Sequence, residues 1–329
     1  MMINASLLLG RSDDAVSEFL HWNEKSAVRA KPYEYDCMVL AEQEIGDKNW
    51  FIPSVLSYLE HPAIKHLDDA LHQNLLARNL VTFLEYTTVL EHKIVNRSVE
   101  VIAHDVLPVP IPFAMRMSAL KLYADEGYHA VISADVSRQV ALLFHLDVPS
   151  SEFERIKNFQ KLIEGFPVEF KNLGWFLIGF VAETVITKEF LQMAKATLVP
   201  PVYRMLRDHL EDEWRHSHFF SSMFSYLWGR LNRNERYFCK DALPLIIFES
   251  FRLEDGWLER NLIDLGLNNA IAEEIETQRN SHRGLLESAR CGSMATLKAL
   301  HRAGFFLERA NLERFFEFGL IEEDSEFFR

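Results

Sequence analysis

Apolar residues recur every three or four positions along most of this chain, which is the spacing expected of amphipathic α-helices. One example is the face formed by Leu122, Glu126, His129 and Ile132. Prolines interrupt the pattern at positions 108, 110, 112, 149, 167, 200 and 201. Between these breaks the pattern predicts four long helices, at about residues 64–98, 113–147, 170–198 and 201–229, and a further helical region at about 235–325.

Long helices joined by short breaks are typical of helix bundles, in which each helix buries one face against its neighbours. The chain has 329 residues but only 13 glycines and 11 prolines, which argues against an all-β fold. We therefore expect one all-α domain over residues 1–329, with a core bundle at about 64–229 and a C-terminal helical extension at about 235–325. A short helical stretch between Pro53 and Pro62 is expected to precede the bundle.

The charge and the cysteines narrow the class of protein. A net charge of −13 makes nucleic acid and anionic membrane surfaces poor partners. Cys37, Cys239 and Cys291 are widely spaced, which predicts reduced thiols in a cytoplasmic protein. The N-terminal residues lack the basic start of a secretory signal, and the most apolar run, residues 173–186, is short for a membrane span and contains Glu183.

The predicted second and fourth helices contain the same motif, D-E-x-x-H. It occurs as Asp125-Glu126-x-x-His129 and as Asp212-Glu213-x-x-His216. On a helix, residues three apart project from one face, so each Glu and His pair can bind a common metal ion. The Asp before each Glu points to the side, where it can accept a hydrogen bond from a metal-bound histidine of a neighbouring helix.

A carboxylate-bridged di-metal site in a helix bundle also needs one Glu from each of the other two helices. Glu183 lies in an apolar run, where a bare carboxylate costs several kcal/mol unless it is paired or bound to a cation. A salt bridge is the alternative, but Lys171 and Lys188 are its nearest basic residues in the chain. On the first helix, helical phase favours Glu91 over Glu85.

His209 lies four residues before Glu213 and seven before His216, so the three side chains share one helical stripe. A hydrogen-bonded polar histidine is the alternative to a third imidazole ligand. Oxygen-rich ligation with two or three imidazoles suits iron or manganese better than zinc. The candidate ligands, which are also the candidate catalytic groups, are Glu91, Glu126, His129, Glu183, His209, Glu213 and His216.

These residues resemble the p-aminobenzoate N-oxygenase family, whose members are ferritin-like four-helix di-iron enzymes that oxidise amine nitrogen. The likeness extends along nearly the whole chain. The segments that carry it are residues 50–53, 61–63, 86–96, 125–129, Glu183 and 207–220. An extra histidine ligand distinguishes that family, and the resemblance assigns this role to His209. It also settles the choice of Glu91 over Glu85.

The resemblance implies an O2-dependent reaction at two iron ions that converts an amine to hydroxylamine, nitroso or nitro products. The expected substrate is a small-molecule amine, free or carrier-bound, from specialised metabolism. Because the sequence has no flavin or nicotinamide motif, electrons are expected from an external reductase or reductant. Arg97 and Arg116 are candidate cations for a substrate carboxylate, and a homodimer is compatible with this apolar chain.

Two other functions remain open from the sequence. The same scaffold could support a di-iron C–H hydroxylase, desaturase or oxidase, or a non-enzymatic iron-binding bundle. The C-terminal extension and His209 argue against the iron-binding bundle. Aromatic residues that could line a substrate pocket are Phe83, Trp175, Phe219 and Phe220, although most of the aromatic residues should be core.

Overall fold

The computed structural model describes residues 15–40, 46–148, 152–193 and 198–322, and for 186–193 the backbone alone. Over these residues the chain is α-helical and forms no strand, so the all-α prediction is confirmed. None of the described helices is both long and apolar enough to cross a membrane. The α-helices are α1 (Trp22–Lys25), α2 (Ala27–Ala30), α3 (Pro62–Lys65), α4 (Asp69–Leu90), α5 (Asn96–Ala103), α6 (Phe113–Phe144), α7 (Glu154–Gly165), α8 (Lys171–Met193), α9 (Pro200–Trp228), α10 (Arg233–Phe251), α11 (Trp257–Asp264), α12 (Asn269–Arg279), α13 (His282–Gly292), α14 (Met294–Arg302) and α15 (Arg309–Glu317).

Four long helical units form a ferritin-like bundle, as predicted. The first unit is α4, a π-helical segment (Glu91–Val95) and α5 in direct succession. The other three are α6, α8 and α9. Helix α4 packs against α6, α8 packs against α9, and α5 contacts both α6 and α8. The C-terminal helices extend this core, because α10 and α14 pack on α8.

Local sequence signals explain where the bundle helices begin and end. The Asp68 side chain accepts a hydrogen bond from the backbone N–H of Leu71 (2.8 Å), which caps α4. Pro200 lies in the first turn of α9, where its missing N–H costs no helical hydrogen bond. Helix α6 follows Pro112 and ends at His145, which takes a left-handed conformation with φ 53°.

Several predicted boundaries were wrong. The helix predicted at 64–98 is divided, because Asp68 caps a new helix after α3, and it then continues through the π-helical segment to Ala103. The stretch between Pro53 and Pro62 is helical as expected, in two 3-10 turns, Pro53–Val55 and Ser57–Glu60. Helix α7 was not predicted. The end predicted at 325 falls among residues 323–329, which lie outside the described residues. The end predicted at 198 is too late, because Leu198 pairs with Asn49 in an isolated β-bridge and α8 is described only to Met193.

Stacked phenylalanines fill the interface between α8 and α9. Phe180 and Phe224 stack with ring centroids 4.8 Å apart, and the Phe176 and Phe220 rings lie 6.0 Å apart. Phe220 is fully buried, as is its neighbour Phe219, so both serve the core. Phe83 and Trp175 are only partly buried, which leaves them as candidates for a pocket wall.

Gly179 allows α5 and α8 to approach closely. A Cβ atom at Gly179 would overlap the side chain of Ser98 and lie 3.2 Å from Phe220 Cε1. Both neighbours are buried, so neither can move aside easily. By contrast, a Cβ at Gly127 of α6 would meet nothing within 4 Å.

Replacing Gly179 with alanine should therefore lower the free energy of unfolding by about 1–3 kcal/mol, the usual cost of overpacking a core. Gly127→Ala is the matched control, and its better helix propensity should raise stability by up to about 1 kcal/mol. Denaturant unfolding of the two metal-free variants measures both effects. Equal stability of the two variants would contradict a tight contact at Gly179.

Candidate metal centre

All seven predicted ligand side chains meet between the four bundle units. Each is at most 1% exposed, which is unusual for carboxylates and imidazoles. The first unit contributes Glu91, α8 contributes Glu183, and the two D-E-x-x-H helices supply the rest. The residues converge because each projects inward from its own helix at about the same level of the bundle.

One half of this cage contains Glu91, His129 and His209. His209 Nε2 lies 2.8 Å from Glu91 Oε1 and 3.2 Å from Glu213 Oε1. His129 Nδ1 is 3.2 Å from the same Glu213 oxygen, and the His129 and His209 ring centroids are 3.9 Å apart. These four residues can each offer a ligand atom, all within 4.8 Å of one another.

The other half is arranged around His216. Its Nδ1 atom lies 2.6 Å from Glu126 Oε1, 3.3 Å from Glu213 Oε1 and 3.7 Å from Glu183 Oε2. Glu126, His129, Glu213 and His216 also offer ligand atoms within 4.8 Å of one another. Glu183 approaches this half from the remaining helix.

Two carboxylates are placed to join the halves. Glu213 belongs to both groups of possible ligand atoms. The two oxygens of Glu126 face different imidazoles, since Oε1 lies 2.6 Å from His216 Nδ1 and Oε2 lies 3.8 Å from His129 Nδ1. A carboxylate can bind two ions through its two oxygens, whereas the Nδ1 atom of an imidazole binds one. Glu126 and Glu213 can therefore bridge two neighbouring cations.

Aspartates orient both D-E-x-x-H histidines in a reciprocal arrangement. Asp212 of α9 accepts from His129 of α6 at 3.0 Å, and Asp125 of α6 pairs with His216 of α9 at 3.3 Å. Both bonds use the histidine Nε2 atom, which leaves Nδ1 facing the cage. The aspartate hydrogen bonds expected from the sequence are thus present, and they fix the imidazole tautomer that a metal ligand requires.

The donor groups fit a pair of divalent cations. Among the described residues, both oxygens of Glu91 and Glu126 and the Nδ1 atoms of His129 and His216 form no hydrogen bond of regular geometry. Their close polar neighbours are other cage atoms, as at the 2.6 Å contact of His216 Nδ1 with Glu126 Oε1. Buried polar atoms without hydrogen bonds are costly unless a cation binds them. Two divalent ions would also balance the charge of the cage's four carboxylates. Such an oxygen-rich donor set suits iron or manganese.

The first bundle unit changes from α-helix to π-helix at the ligand candidate itself. The π-helical segment begins at Glu91, which is 1% exposed, while Glu85 one turn and a half earlier is half-buried. A π-helical turn inserts one residue and so changes which side chains face inward. The sequence offered no signal for this segment, because its residues also fit an ordinary helix.

Other polar residues close to the motifs, and the two candidate arginines, lie away from the cage. His218 is about half exposed, 3.9 Å from Glu18, and packs on Trp214 at a ring distance of 4.3 Å. Arg97 forms an exposed ion pair with Glu100. Arg116 donates a hydrogen bond to the backbone of residue 103 at 3.0 Å. The two arginines considered as substrate clamps are therefore engaged elsewhere.

Burial and mutual charge shift the ionisation of the cage. Burial raises the pKa of Glu91 to about 7, and together with the negative charge of Glu213 it raises the pKa of Glu183 well above its ordinary value. Burial acts to lower the pKa of His129 and His216, but the adjacent carboxylates outweigh it and raise the pKa well above its usual range. Without a cation, the cage therefore retains protons near neutral pH.

The bundle and its buried carboxylate–histidine cage define the class: a ferritin-like protein with a candidate di-metal centre. The family model described as "P-aminobenzoate N-oxygenase AurF" matches residues 21–298, and the chain belongs to this family. The family is one of di-iron oxygenases. No curated protein matches the chain.

Loss of a cage residue should remove metal. His216→Ala and Glu183→Ala should each bind fewer than two iron ions per chain after anaerobic loading. Each variant lacks one of the side chains that would bind iron. His218→Ala, on the same helix but outside the cage, is the matched control. Metal analysis after gel filtration measures the stoichiometry, and circular dichroism checks that the variants stay helical. Full iron content in both cage variants would contradict this ligand set.

Metal affinity should rise with pH. Cations must displace the protons held by Glu91, Glu183 and the imidazoles, so affinity should increase about tenfold per pH unit for each proton released. Titration with Mn(II), followed by electron paramagnetic resonance at about pH 6 and about pH 8, measures the change. A dye in weak buffer reports the released protons. Equal affinity at both pH values, without proton release, would contradict the assigned ionisation.

Proposed function

We propose that this protein is an O2-dependent di-iron N-oxygenase of a small-molecule amine. The observation that carries the proposal is the third imidazole, His209, which lies within 3.2 Å of both Glu91 and Glu213 inside a cage already containing two histidines. Family membership supports the same reaction class.

The proposed ligand roles follow the two halves of the cage. Glu91, His129 and His209 would hold one iron, and Glu183 and His216 would hold the other. Glu126 and Glu213 have contacts in both halves, so each could serve both ions. Two irons bound there would supply the activation of O2 for transfer of an oxygen atom to nitrogen.

The surrounding residues preorganise this chemistry. Asp125 and Asp212 hold the two imidazoles in one orientation, with Nδ1 directed into the cage. The cage residues themselves are buried, as are the apolar residues around Glu183 in α8, such as Val181 and Phe180, so bulk water would have little access to the centre. Water exclusion keeps the oxidising equivalents from being lost in side reactions.

The overall reaction requires an outside source of electrons. In the first oxygenation, one atom of O2 goes to the amine nitrogen to give a hydroxylamine, and the other is reduced to water. Two electrons and two protons balance this step. We propose that a separate reductase or small reductant supplies them, which is consistent with the lack of a flavin or nicotinamide motif in the sequence.

The substrate is proposed only as an amine, free or carrier-bound. Because Arg97 and Arg116 are engaged at Glu100 and at the backbone of residue 103, neither supports a carboxylate clamp. Recognition is then expected to depend on apolar and aromatic contacts, for which the partly buried Phe83 and Trp175 are available. Cytoplasmic location and a role in specialised metabolism belong to the same proposal.

Isotope labelling tests the reaction. The iron-loaded, reduced protein is mixed with 18O2 and a panel of amines that includes p-aminobenzoate, aryl amines without a carboxylate and aliphatic amines. Mass spectrometry should find heavy oxygen on nitrogen in at least one product. Iron-free protein is the control for uncatalysed oxidation. Heavy oxygen on carbon, or substrate oxidation without incorporation, would instead favour a hydroxylase or an oxidase.

A further inference from the structure

A short segment near the N-terminus lies against the candidate metal centre from outside the bundle. It comprises residues 22–27, in α1 and the start of α2, and is called the N-terminal strap below. Helix α2 contacts both α6 and α9, the two D-E-x-x-H helices. Ser26 and Ala27 are buried, and Trp22 is half-buried.

The strap binds Asp125 through two side chains. The indole Nε1–H of Trp22 donates to Asp125 Oδ1 at 2.8 Å, and the Ser26 hydroxyl donates to the same oxygen at 2.5 Å. The other oxygen of Asp125 faces His216 Nε2 at 3.3 Å. A continuous series of hydrogen bonds therefore runs from the strap through Asp125 to His216.

The strap also binds Asp212, but by a different kind of donor. The backbone N–H of Ala27 donates to Asp212 Oδ2 at 3.0 Å, and the same oxygen accepts from His129 Nε2 at 3.0 Å. The guanidinium of Arg215 pairs with the other Asp212 oxygen. Asp212 is thus held by a backbone amide and an arginine, neither of which depends on a strap side chain.

This difference makes the two halves of the cage separable by mutation. An imidazole rotates about one bond, and the hydrogen bond at Nε2 decides where Nδ1 points. A carboxylate orients an imidazole only if its own position is fixed by further contacts. For His216 those contacts come from Trp22 and Ser26, whereas for His129 they come from Ala27 and Arg215.

We propose that Trp22 and Ser26 are positioning residues for the metal position served by His216. They hold Asp125, and through it they fix the direction of His216 Nδ1 toward Glu126 and Glu183. The position served by His129 and His209 does not depend on them. The inference rests on the proposed function only in requiring that the cage binds two metal ions.

The aromatic surroundings of His216 are consistent with this role. Phe19, just before the strap, lies parallel to the His216 ring with an interplanar angle of 7° and a centroid distance of 6.1 Å. Lys121 Nζ donates to the backbone carbonyl of Phe19 at 2.9 Å, which ties this part of the chain to α6. The N-terminal segment therefore approaches His216 from its ring face as well as through Asp125.

The test uses Trp22→Phe and Ser26→Ala, singly and together, in the full-length chain. Phenylalanine keeps most of the ring but removes the N–H, and alanine removes the hydroxyl. The matched controls are Trp257→Phe, in α11 away from the cage, and Ser118→Ala, whose buried hydroxyl donates to the backbone carbonyl of Ala114 in its own helix, α6. Anaerobic Co(II) titration with a competing chelator measures both binding steps, and visible absorption reports the geometry of the bound ions.

We expect the strap variants to bind one of the two Co(II) ions with roughly tenfold lower affinity. This is the low end of the range for residues that hydrogen-bond to metal ligands. The visible absorption of that ion should change, and the other ion should keep its affinity. The metal-free strap variants should still unfold cooperatively, at a melting temperature below that of the controls, because the buried Asp125 loses a hydrogen-bond donor. The single variants keep the test decisive if the double variant fails to fold.

Two results would overturn the proposal. Wild-type affinity and absorption for both equivalents in both single variants would show that the strap does not position His216. Equal weakening of both binding steps would show that the strap only supports the fold. Failure of the wild-type protein to bind two Co(II) ions would instead overturn the proposed di-metal function itself.

Discussion

Four carboxylates lie at the centre of the helix bundle, each at most 1% exposed, and the rest of the structure is arranged around their charge. Glu91, Glu126, Glu183 and Glu213 would repel one another strongly in so apolar an interior. The three imidazoles among them could balance this negative charge only by binding protons. A nitrogen that holds a proton cannot also bind a metal ion. Divalent cations can, and this requirement links the buried charge of the fold to oxidation chemistry.

The same constraint explains the layers outside the cage. Asp125 and Asp212 add two further buried acids, so each needs donors of its own, and the N-terminal strap and Arg215 supply them. Helix packing holds these layers in register. The stacked phenylalanines between α8 and α9 and the close approach of α5 to α8 at Gly179 keep the helix that carries Glu183 in place. Stability and site geometry therefore depend on the same contacts.

Much of the site could be predicted because its signals are local. A Glu and a His three residues apart share a helix face, and a carboxylate such as Glu183 in an apolar run has few ordinary explanations. The contacts of the strap could not be predicted, since Trp22 and Asp125 are 103 residues apart and no local pattern links them. The π-helical segment at Glu91 also escaped, because it depends on packing rather than on propensity. The division of the first helix was missed although its N-cap, Asp68, is a local signal. Whether the seven residues bind metal stays a prediction.

Anomalous diffraction from crystals of the full-length protein loaded anaerobically with Fe(II) would test the central claim most directly. Data collected on either side of the iron absorption edge locate iron independently of any assumed ligands. Two iron peaks per chain inside the cage are predicted, one beside His129 and His209 and the other beside His216, with Glu126 and Glu213 between them. A single peak, or iron bound outside the four helices, would contradict a di-iron centre held by these residues.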